Sequence, residues 1–352
     1  MKIWIATGGT GGHVFPALAV AAELTQRGNR VTISTDGRVM DMVRRSKPKR
    51  AGVCFVWASG VGAKGRLSQA FALFKIGASS VALALRFMLL RPDRVVAFGG
   101  YASVPAVFAA HLWKIPTLLH EQNGAIGRAN KFMMRWVETL MTSFPKVDGI
   151  DQVRSELKIV YTGLPVRPEI AAMAGAPLPL QLKILVTGGS LGAKILDDVA
   201  PAAFLLLPAA LRKKVFVTHQ TRPENVGRLQ KFYADNKIRA NVLSFIHDMA
   251  GAIADSDLVI GRSGASTVVE LQTIGRPAIF VPLGINPDQA ANAENFVTTG
   301  GGFVATQDNF TAKWLAATLT DLFYNQPRLV KMAARALVPN NAVNLIAEEV
   351  LK

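Results

Sequence analysis

Three glycine-rich segments are the first places where this chain could do chemistry. Residues 7–12 (TGGTGG), 187–192 (TGGSLG) and 261–267 (GRSGAST) each follow an apolar run and precede a helical pattern. Turns of this kind bring backbone N–H groups close to phosphate oxygens, and the positive end of the following helix adds attraction. Glycines also serve tight βα turns sterically, so each loop alone only nominates an anion site. The third loop adds more. Arg262 can neutralise phosphate, the neighbouring hydroxyls can donate to it, and Glu270, two turns into the helix, can accept from ribose hydroxyls. His120-Glu121-Gln122-Asn123 and His219-Gln220 sit where strands should end, the side on which open α/β sheets bind ligands. Neither of the first two loops completes the dinucleotide fingerprint, and the Gly-Lys-Ser/Thr end of a Walker A loop is absent. Both facts argue against an NAD enzyme or a P-loop NTPase. No His, Cys, Asp or Glu spacing suits a metal, and no metal or cofactor is expected.

The elements that must position these residues read as alternating strands and helices. Strands are expected at 2–6, 30–34, 94–98, 116–120 and 139–142, with helices at 13–27, 67–90, 104–112 and 125–136. The rhythm repeats with strands near 182–186, 214–218, 241–245, 258–260 and 278–281. Several runs are rich in Val, Ile and Leu without alternation, as parallel strands covered on both faces should be. IWIATGGTGGH (3–13) aligns with KILVTGGSLGA (183–193) at an offset of 180 residues, which implies two similar α/β halves. The join is expected in residues 161–180, where Pro165, Pro168, Pro177 and Pro179 break regular structure. A second crossing near Pro339 would leave residues 342–352 as a final amphipathic helix.

Of the 352 residues, 50% are hydrophobic and 18% charged, which excludes a disordered chain and suits two domains. Residues 1–160 hold 22 lysines and arginines against 9 acids, the remainder 18 against 15. A basic first half points to an anionic partner: nucleic acid, an acidic membrane surface or a phosphorylated ligand. The single cysteine, Cys54, excludes an internal disulfide and reads as a small buried apolar residue. The start of the chain holds no export signal, so a cytoplasmic location is expected. In residues 67–90, Lys75 and Arg86 leave ten uncharged residues between them, too few to span a bilayer.

Taken together, GGTGGHVFPALAVA (8–21), FGGYASVPAV (98–107), HEQN (120–123), YTGLPVR (161–167), GGSLGA (188–193), FIHDM (245–249), RSGASTVVE (262–270) and DQAANA (288–293) resemble, in order, the MurG family. These are bacterial UDP-N-acetylglucosamine transferases of peptidoglycan synthesis that glycosylate an undecaprenyl-linked muramylpentapeptide. The resemblance implies an α/β fold of GT-B type, with two Rossmann-like domains separated by a cleft. Residues 1–160 would face the acceptor and the membrane, 161–338 would bind the nucleotide sugar, and 339–352 would pack back on the first domain. On the donor side it implies Arg167, Ser190, Arg262 near phosphate, Ala265, Ser266, Glu270 on ribose, the Ile246 backbone on uracil, Met249 as a cap, and Gln289 on the sugar hydroxyls. Thr10, Gly11, Gly12 and Asn123 would complete it. Thr10, His13, Tyr101, Glu121, Gln122 and Asn123 would form the acceptor side. Leu164, Leu191, Thr221-Arg222, Ser266 and Asp288-Gln289 depart from the family pattern.

The expected reaction inverts configuration: the muramyl 4-hydroxyl attacks the anomeric carbon opposite UDP. His13 is the leading base because histidine titrates near neutrality, although a helix N-terminus weakens it as a proton acceptor. Glu121 is the alternative. Backbone N–H groups and Arg262 would meet the charge on departing UDP, without a metal. Leu67, Phe71, Phe74, Val81, Leu85 and Met88 recur at helical spacing beside Lys75 and Arg86, so this face is expected to dock on anionic lipids of the inner leaflet, making the enzyme peripheral. Other sugar-nucleotide enzymes of the same architecture, such as a UDP-GlcNAc 2-epimerase, are the runner-up. A nucleic-acid binder is disfavoured because no reader module or basic-aromatic stripe is present.

Overall fold

The computed structural model describes residues 1–59, 65–152, 155–189, 192–285 and 287–352, with the side chains of Arg66, Leu67 and Gln152 also outside the description. The expectations for Leu67, Ser190 and Leu191 therefore fall outside the described residues. Two units follow from the chain's own contacts: Met1–Arg167 with Asn340–Lys352, and Pro168–Pro339.

The first unit is built on a parallel sheet of seven strands among the described residues: β1 (Lys2–Ala6), β2 (Arg30–Thr35), β3 (Gly52–Phe55), β4 (Arg94–Ala97), β5 (Thr117–Glu121), β6 (Thr139–Thr142) and β7 (Lys158–Tyr161), in the order β3-β2-β1-β4-β5-β6-β7. Its helices are α1 (Gly11–Gln26), α2 (Met40–Ser46), α3 (Arg66–Leu90), α4 (Val104–Leu112) and α5 (Arg128–Met133). Alternation along β1 explains the layering. Ile3 and Ile5 enter one core with Val14, Ala17 and Leu24 of α1, while Trp4 and Ala6 enter another with Leu83 and Phe87 of α3 and Ala106 and Ala109 of α4. A strand covered on both faces must be apolar throughout, and each such side chain contributes about 1.5–3 kcal/mol on burial.

In the second unit, β8 (Lys183–Thr187), β9 (Phe216–Gln220), β10 (Arg239–Leu243), β11 (Leu258–Gly261), β12 (Ala278–Phe280) and β13 (Gly302–Val304) form a parallel sheet in the order β10-β9-β8-β11-β12-β13. It carries α6 (Pro168–Ala172), α7 (Lys194–Leu205), α8 (Ala209–Arg212), α9 (Pro223–Asp235), α10 (Met249–Ala254), α11 (Ala265–Ile274), α12 (Pro287–Val297), α13 (Ala312–Tyr324) and α14 (Gln326–Ala336). The chain then returns to the first unit as α15 (Ala342–Leu351), whose Ile346, Ala347 and Val350 join the core beneath α1.

In both sheets the order reverses beside the first strand, between β1 and β4 and between β8 and β11. This is the switch point at which open α/β sheets receive ligands. The glycine loops lie there because they follow β1, β8 and β11.

Two expectations shift. The first unit continues to Arg167 rather than 160, because β7 pairs with β6 and the N–H groups of Thr162 and Gly163 both donate to the Thr142 carbonyl. The helix expected at 125–136 shortens to α5 and a 3₁₀ turn at Met134–Trp136, because Ala125 bridges to Asp148 and Gly127 donates its N–H to Glu121.

Along α3, Ala72, Ile76, Leu83 and Phe87 are buried and the helix packs on α4. Its other face is exposed and apolar: Phe71, Leu73, Phe74, Val81, Leu85, Met88 and Leu89 all stand in solvent. Ser68–Leu90 is long and apolar enough to cross a membrane by length and composition alone. Its inner face belongs to the fold. Lys75 lies over the Trp57 and Phe71 rings, and Arg86 over Trp4.

Candidate active site

In the first unit, α1 starts at Gly11 and its first turn contains no acid, so the helix presents its positive end uncancelled. Gly8 is required sterically: a Cβ there would lie 2.5 Å from the Ala102 Cβ. Gly9 has φ +89° and donates its N–H to the buried Asp36 carboxylate at 3.0 Å. The Gly9 amide is thus committed within the fold and is not a donor for a ligand.

His13 stands in the first turn of α1, directly after this loop, partly exposed. Its Nδ1 lies 2.8 Å from the Gln122 Oε1. The Gln122 side-chain NH2 donates to the carbonyl of His120 at 3.0 Å and meets the His120 Nδ1 at 3.0 Å. On its far side the His120 Nε2 meets the Gly163 carbonyl at 3.0 Å. Helix α1, the end of β5 and the segment after β7 thereby meet along one line of hydrogen bonds. Gln122, expected on the acceptor side, is 3% exposed and spends its amide on the two histidines. Tyr101 is half-buried in the turn after β4.

Glu121 takes a role other than the expected one. Its Oε1 accepts from the Asn123 N–H (2.9 Å) and the Asn123 side-chain amide, and its Oε2 accepts from the Gly127 N–H (2.9 Å) and the Asn130 amide (2.7 Å). Burial raises its pKa, opposed by these donors. At 1% exposure, the carboxylate ties down residues 123–130 and is badly placed to take a substrate proton. Its four accepted hydrogen bonds all come from residues 123–130.

Burial also pushes the His120 pKa down to about 4, opposed by its bond to Gly163. The unfolded imidazole, near 6.5, takes up its proton first as pH falls. The stability that neutral His120 contributes is therefore complete above about pH 6.5 and lost as pH falls towards 4, by about 3 kcal/mol. Urea melts across pH 7 to 4 should be steeper in pH for the wild type than for His120→Asn; parallel curves would contradict this.

In the second unit, the loop after β8 is shaped by close approach. A Cβ on Gly188 would lie 2.3 Å from the Ala193 nitrogen, and Gly189 and Gly192 adopt φ +72° and +65°. The Thr187 hydroxyl donates to the Gln220 Oε1 (2.5 Å) and accepts from the Gly189 N–H (3.2 Å), so Gln220 braces the loop. His219 does not face a ligand. It is fully buried, bonded to the Tyr233 hydroxyl (2.8 Å) and to Asp197 (3.2 Å). Burial would raise Asp197, but donors from His219, Thr221 and Asn225 hold it below the usual carboxylate range. Arg222, one of the departures from the family pattern, lies against the loop: a Cβ on Gly192 would come within 2.8 Å of its Cγ.

The β11–α11 loop and α12 are stapled together. The Ser263 hydroxyl donates to the Gln289 carbonyl (2.7 Å), and the Asn292 amide donates to the Ser263 carbonyl (3.0 Å). The Leu283 N–H donates to the Gln289 Oε1 (2.9 Å), which fixes the oxygen end of that amide within the unit. Arg262 donates to the carbonyls of Val281 (2.7 Å) and Pro282 (3.1 Å) and to Gln307. Its guanidinium orders the segment after β12 as well as bringing charge to the start of α11. Ala265 begins α11, Ser266 and Thr267 follow partly buried, and Glu270 is 9% exposed on the same helix. Ile246 is buried, and Met249 begins α10, capped by Asp248. Arg167 closes the first unit and is half-buried.

His120, Asn130 and Gly163 were missed as site residues. The HEQN cluster pointed to the first; the other two reveal themselves only through bonds to residues 9 and 43 positions away.

Two parallel doubly wound sheets with glycine loops at their switch points define the GT-B class of sugar-nucleotide enzymes. Residues 3–142 match the glycosyltransferase family 28 N-terminal domain, and residues 183–350 match its C-terminal domain. The UDP-N-acetylglucosamine–N-acetylmuramyl-(pentapeptide) pyrophosphoryl-undecaprenol N-acetylglucosamine transferase of Methylobacterium nodulans is 40% identical over 98% of this chain and 95% of its own. Its Novosphingobium aromaticivorans namesake is 41% identical over 94% and 86%. The crystal structure of Acinetobacter baumannii MurG superposes with TM-score 0.79 at 33% identity, covering 99% of both chains. The UDP-GlcNAc 2-epimerase of Neisseria meningitidis, at 15% identity and TM-score 0.71 over all of both chains, shares the fold. The chain belongs to the MurG family of N-acetylglucosamine transferases within glycosyltransferase family 28.

Proposed function

We infer that the chain transfers N-acetylglucosamine from UDP-N-acetylglucosamine to the muramyl 4-hydroxyl of undecaprenyl-diphospho-muramylpentapeptide, converting lipid I to lipid II in peptidoglycan synthesis. The observation that carries this is 40% identity to transferases of that name along nearly the whole chain. Radiolabel from UDP-GlcNAc should enter the lipid phase only when the lipid-linked acceptor is supplied; label moving without it would refute the reading.

In the reaction, the acceptor oxygen bonds to the anomeric carbon as the bond to the β-phosphate oxygen breaks, and the electron pair leaves with UDP. His13 takes the hydroxyl proton. The leaving charge is met by the backbone donors at the start of α11 and by Arg262, and the reading assigns no part to a metal or cofactor. Glu270 holds the ribose, Gln289 the sugar, and the β8–α7 loop the phosphates. Glu270→Ala should weaken UDP-GlcNAc binding by about 1.5–3 kcal/mol, the worth of a hydrogen bond to a charged acceptor, with the fold intact. Calorimetry giving wild-type affinity would remove Glu270 from the site.

The lipid-linked acceptor requires the enzyme to come to the bilayer. We propose that it docks peripherally on the cytoplasmic leaflet through the exposed face of α3, with Phe71, Phe74, Val81, Leu85 and Met88 in the interface and Lys75 and Arg86 on anionic headgroups. Support comes from the solvent exposure of these apolar side chains. Each cation near an anionic surface adds about 1 kcal/mol, so high salt should weaken the attachment. Vesicle co-sedimentation should favour anionic over neutral lipid and fall on reversing Lys75 and Arg86; indifference to both would refute this face.

A further inference from the structure

The proton-accepting nitrogen of a neutral histidine is decided by whichever partner holds the other nitrogen. In the first unit that decision can be traced back to two backbone carbonyls, groups that only accept. The Gly163 carbonyl faces the His120 Nε2 at 3.0 Å, so that nitrogen carries the proton and the Nδ1 of the ring carries a lone pair. The His120 carbonyl faces one end of the Gln122 amide at 3.0 Å, so that end must be NH2; its two hydrogens serve this carbonyl and the His120 Nδ1. A flipped amide would set its oxygen against a carbonyl and a lone pair at once. The Gln122 Oε1 is thereby turned to the His13 Nδ1 at 2.8 Å, and an oxygen acceptor there requires a proton on that nitrogen.

We propose that His120 and Gln122 are positioning residues that hold His13 as the Nδ1–H tautomer, so that its Nε2 is the atom that receives the acceptor's proton. The ordinary preference of a solvated imidazole is the opposite, Nε2–H. When the 4-hydroxyl attacks, its proton passes to the His13 Nε2, and the imidazolium keeps its Nδ1–H on the Gln122 carbonyl oxygen until the proton is released to solvent. Burial that keeps His120 neutral protects the relay at working pH, because a second proton on His120 would meet the Gln122 NH2. The glycine at 163 has φ +78°, and a Cβ there would lie 3.3 Å from Ala342 of α15, so the turn that presents this carbonyl is itself specified by the fold.

This inference rests on the reading of His13 as the base, and two measurements separate their failures. The chain has five histidines, few enough for residue-by-residue assignment in a protein labelled with ¹⁵N-histidine. Long-range ¹H–¹⁵N correlation on the full chain at pH 8, with peaks assigned from His13→Ala and His120→Asn, should show His13 protonated on Nδ1 and His120 on Nε2. His13 found as Nε2–H, or averaging freely between forms, overturns the relay whatever the kinetics. In Gln122→Leu, His13 should revert to mainly Nε2–H and kcat should fall about 10–100-fold with the KM for UDP-GlcNAc within about twofold, a smaller loss than a locked wrong tautomer gives in a catalytic triad. A Gln122→Leu enzyme with unchanged kcat, or with a loss confined to KM, also overturns it. If instead the wild-type tautomers are as stated but His13→Ala turns over normally, the base reading fails, and the tautomers serve no catalytic purpose.

Discussion

His13→Ala is expected to lower kcat by roughly 10²–10⁴-fold, the usual contribution of a general base, while the calorimetric affinity for UDP-GlcNAc stays within about twofold. The asymmetry follows from placement: His13 lies at the start of α1 in the first unit, whereas Glu270, Gln289 and the β8–α7 loop, to which donor binding is assigned, belong to the second. Glu121→Gln separates the two carbon-copy candidates of the sequence. An amide at 121 keeps one acceptor oxygen and turns an NH2 group towards the donors on the other side, so its main cost should be a loosened loop and a modest fall in activity. A large kcat loss in Glu121→Gln beside a small one in His13→Ala would exchange the roles.

The second large effect concerns stability. Arg276 is 1% exposed and follows Gly275, whose φ of +79° ends α11. Its Nη1 donates to the Ala176 carbonyl (2.7 Å), and its Nη2 donates to those of Pro177 (2.8 Å) and Ala254 (2.7 Å). One guanidinium thus closes the negative end of α10 and fastens the segment leading from α6 into β8. Arg276→Met fills the volume but strands these carbonyls, and should cost the second unit about 3–5 kcal/mol, as loss of one partner in a buried charged network does. Arg276→Lys, with a point charge in place of a planar fork, should fall between. Guanidinium unfolding followed by tryptophan fluorescence and circular dichroism checks it; a change below about 1 kcal/mol for Arg276→Met would show that the carbonyls find other partners.

Much of this architecture could be read from the chain because central parallel strands leave a strong mark. Residues 2–6, 94–98 and 258–260 are apolar on both faces, and the glycines that stop them are the turns that approach the ligand side. The edges left a weaker mark. Gly52–Phe55 and Gly302–Val304 were not expected as strands, since an edge strand is only partly covered and needs no continuous apolar run. Lys158–Tyr161, another edge, was likewise not expected as a strand, and the expected join began at its last residue. In the site, residue types nominated Arg262 and Glu270 and the family resemblance added His13 and Gln122, but spacing cannot tell a carboxylate that meets substrate from one surrounded by its own loop's N–H groups. Glu121 is that case. Nor can spacing connect His120 to Gly163, because the bond joins the end of β5 to a turn after β7 that only the folded sheet brings alongside.

The measurement that bears most directly on the account is the structure of the product formed by the purified chain from UDP-GlcNAc and a lipid-linked muramylpentapeptide. An inverting attack by the 4-hydroxyl predicts a disaccharide with a β-1,4 bond in its NMR coupling and nuclear Overhauser pattern, formed in step with UDP release and only when acceptor is present. An α-linked disaccharide, attachment at another hydroxyl, or conversion of the donor to its 2-epimer without acceptor would contradict it.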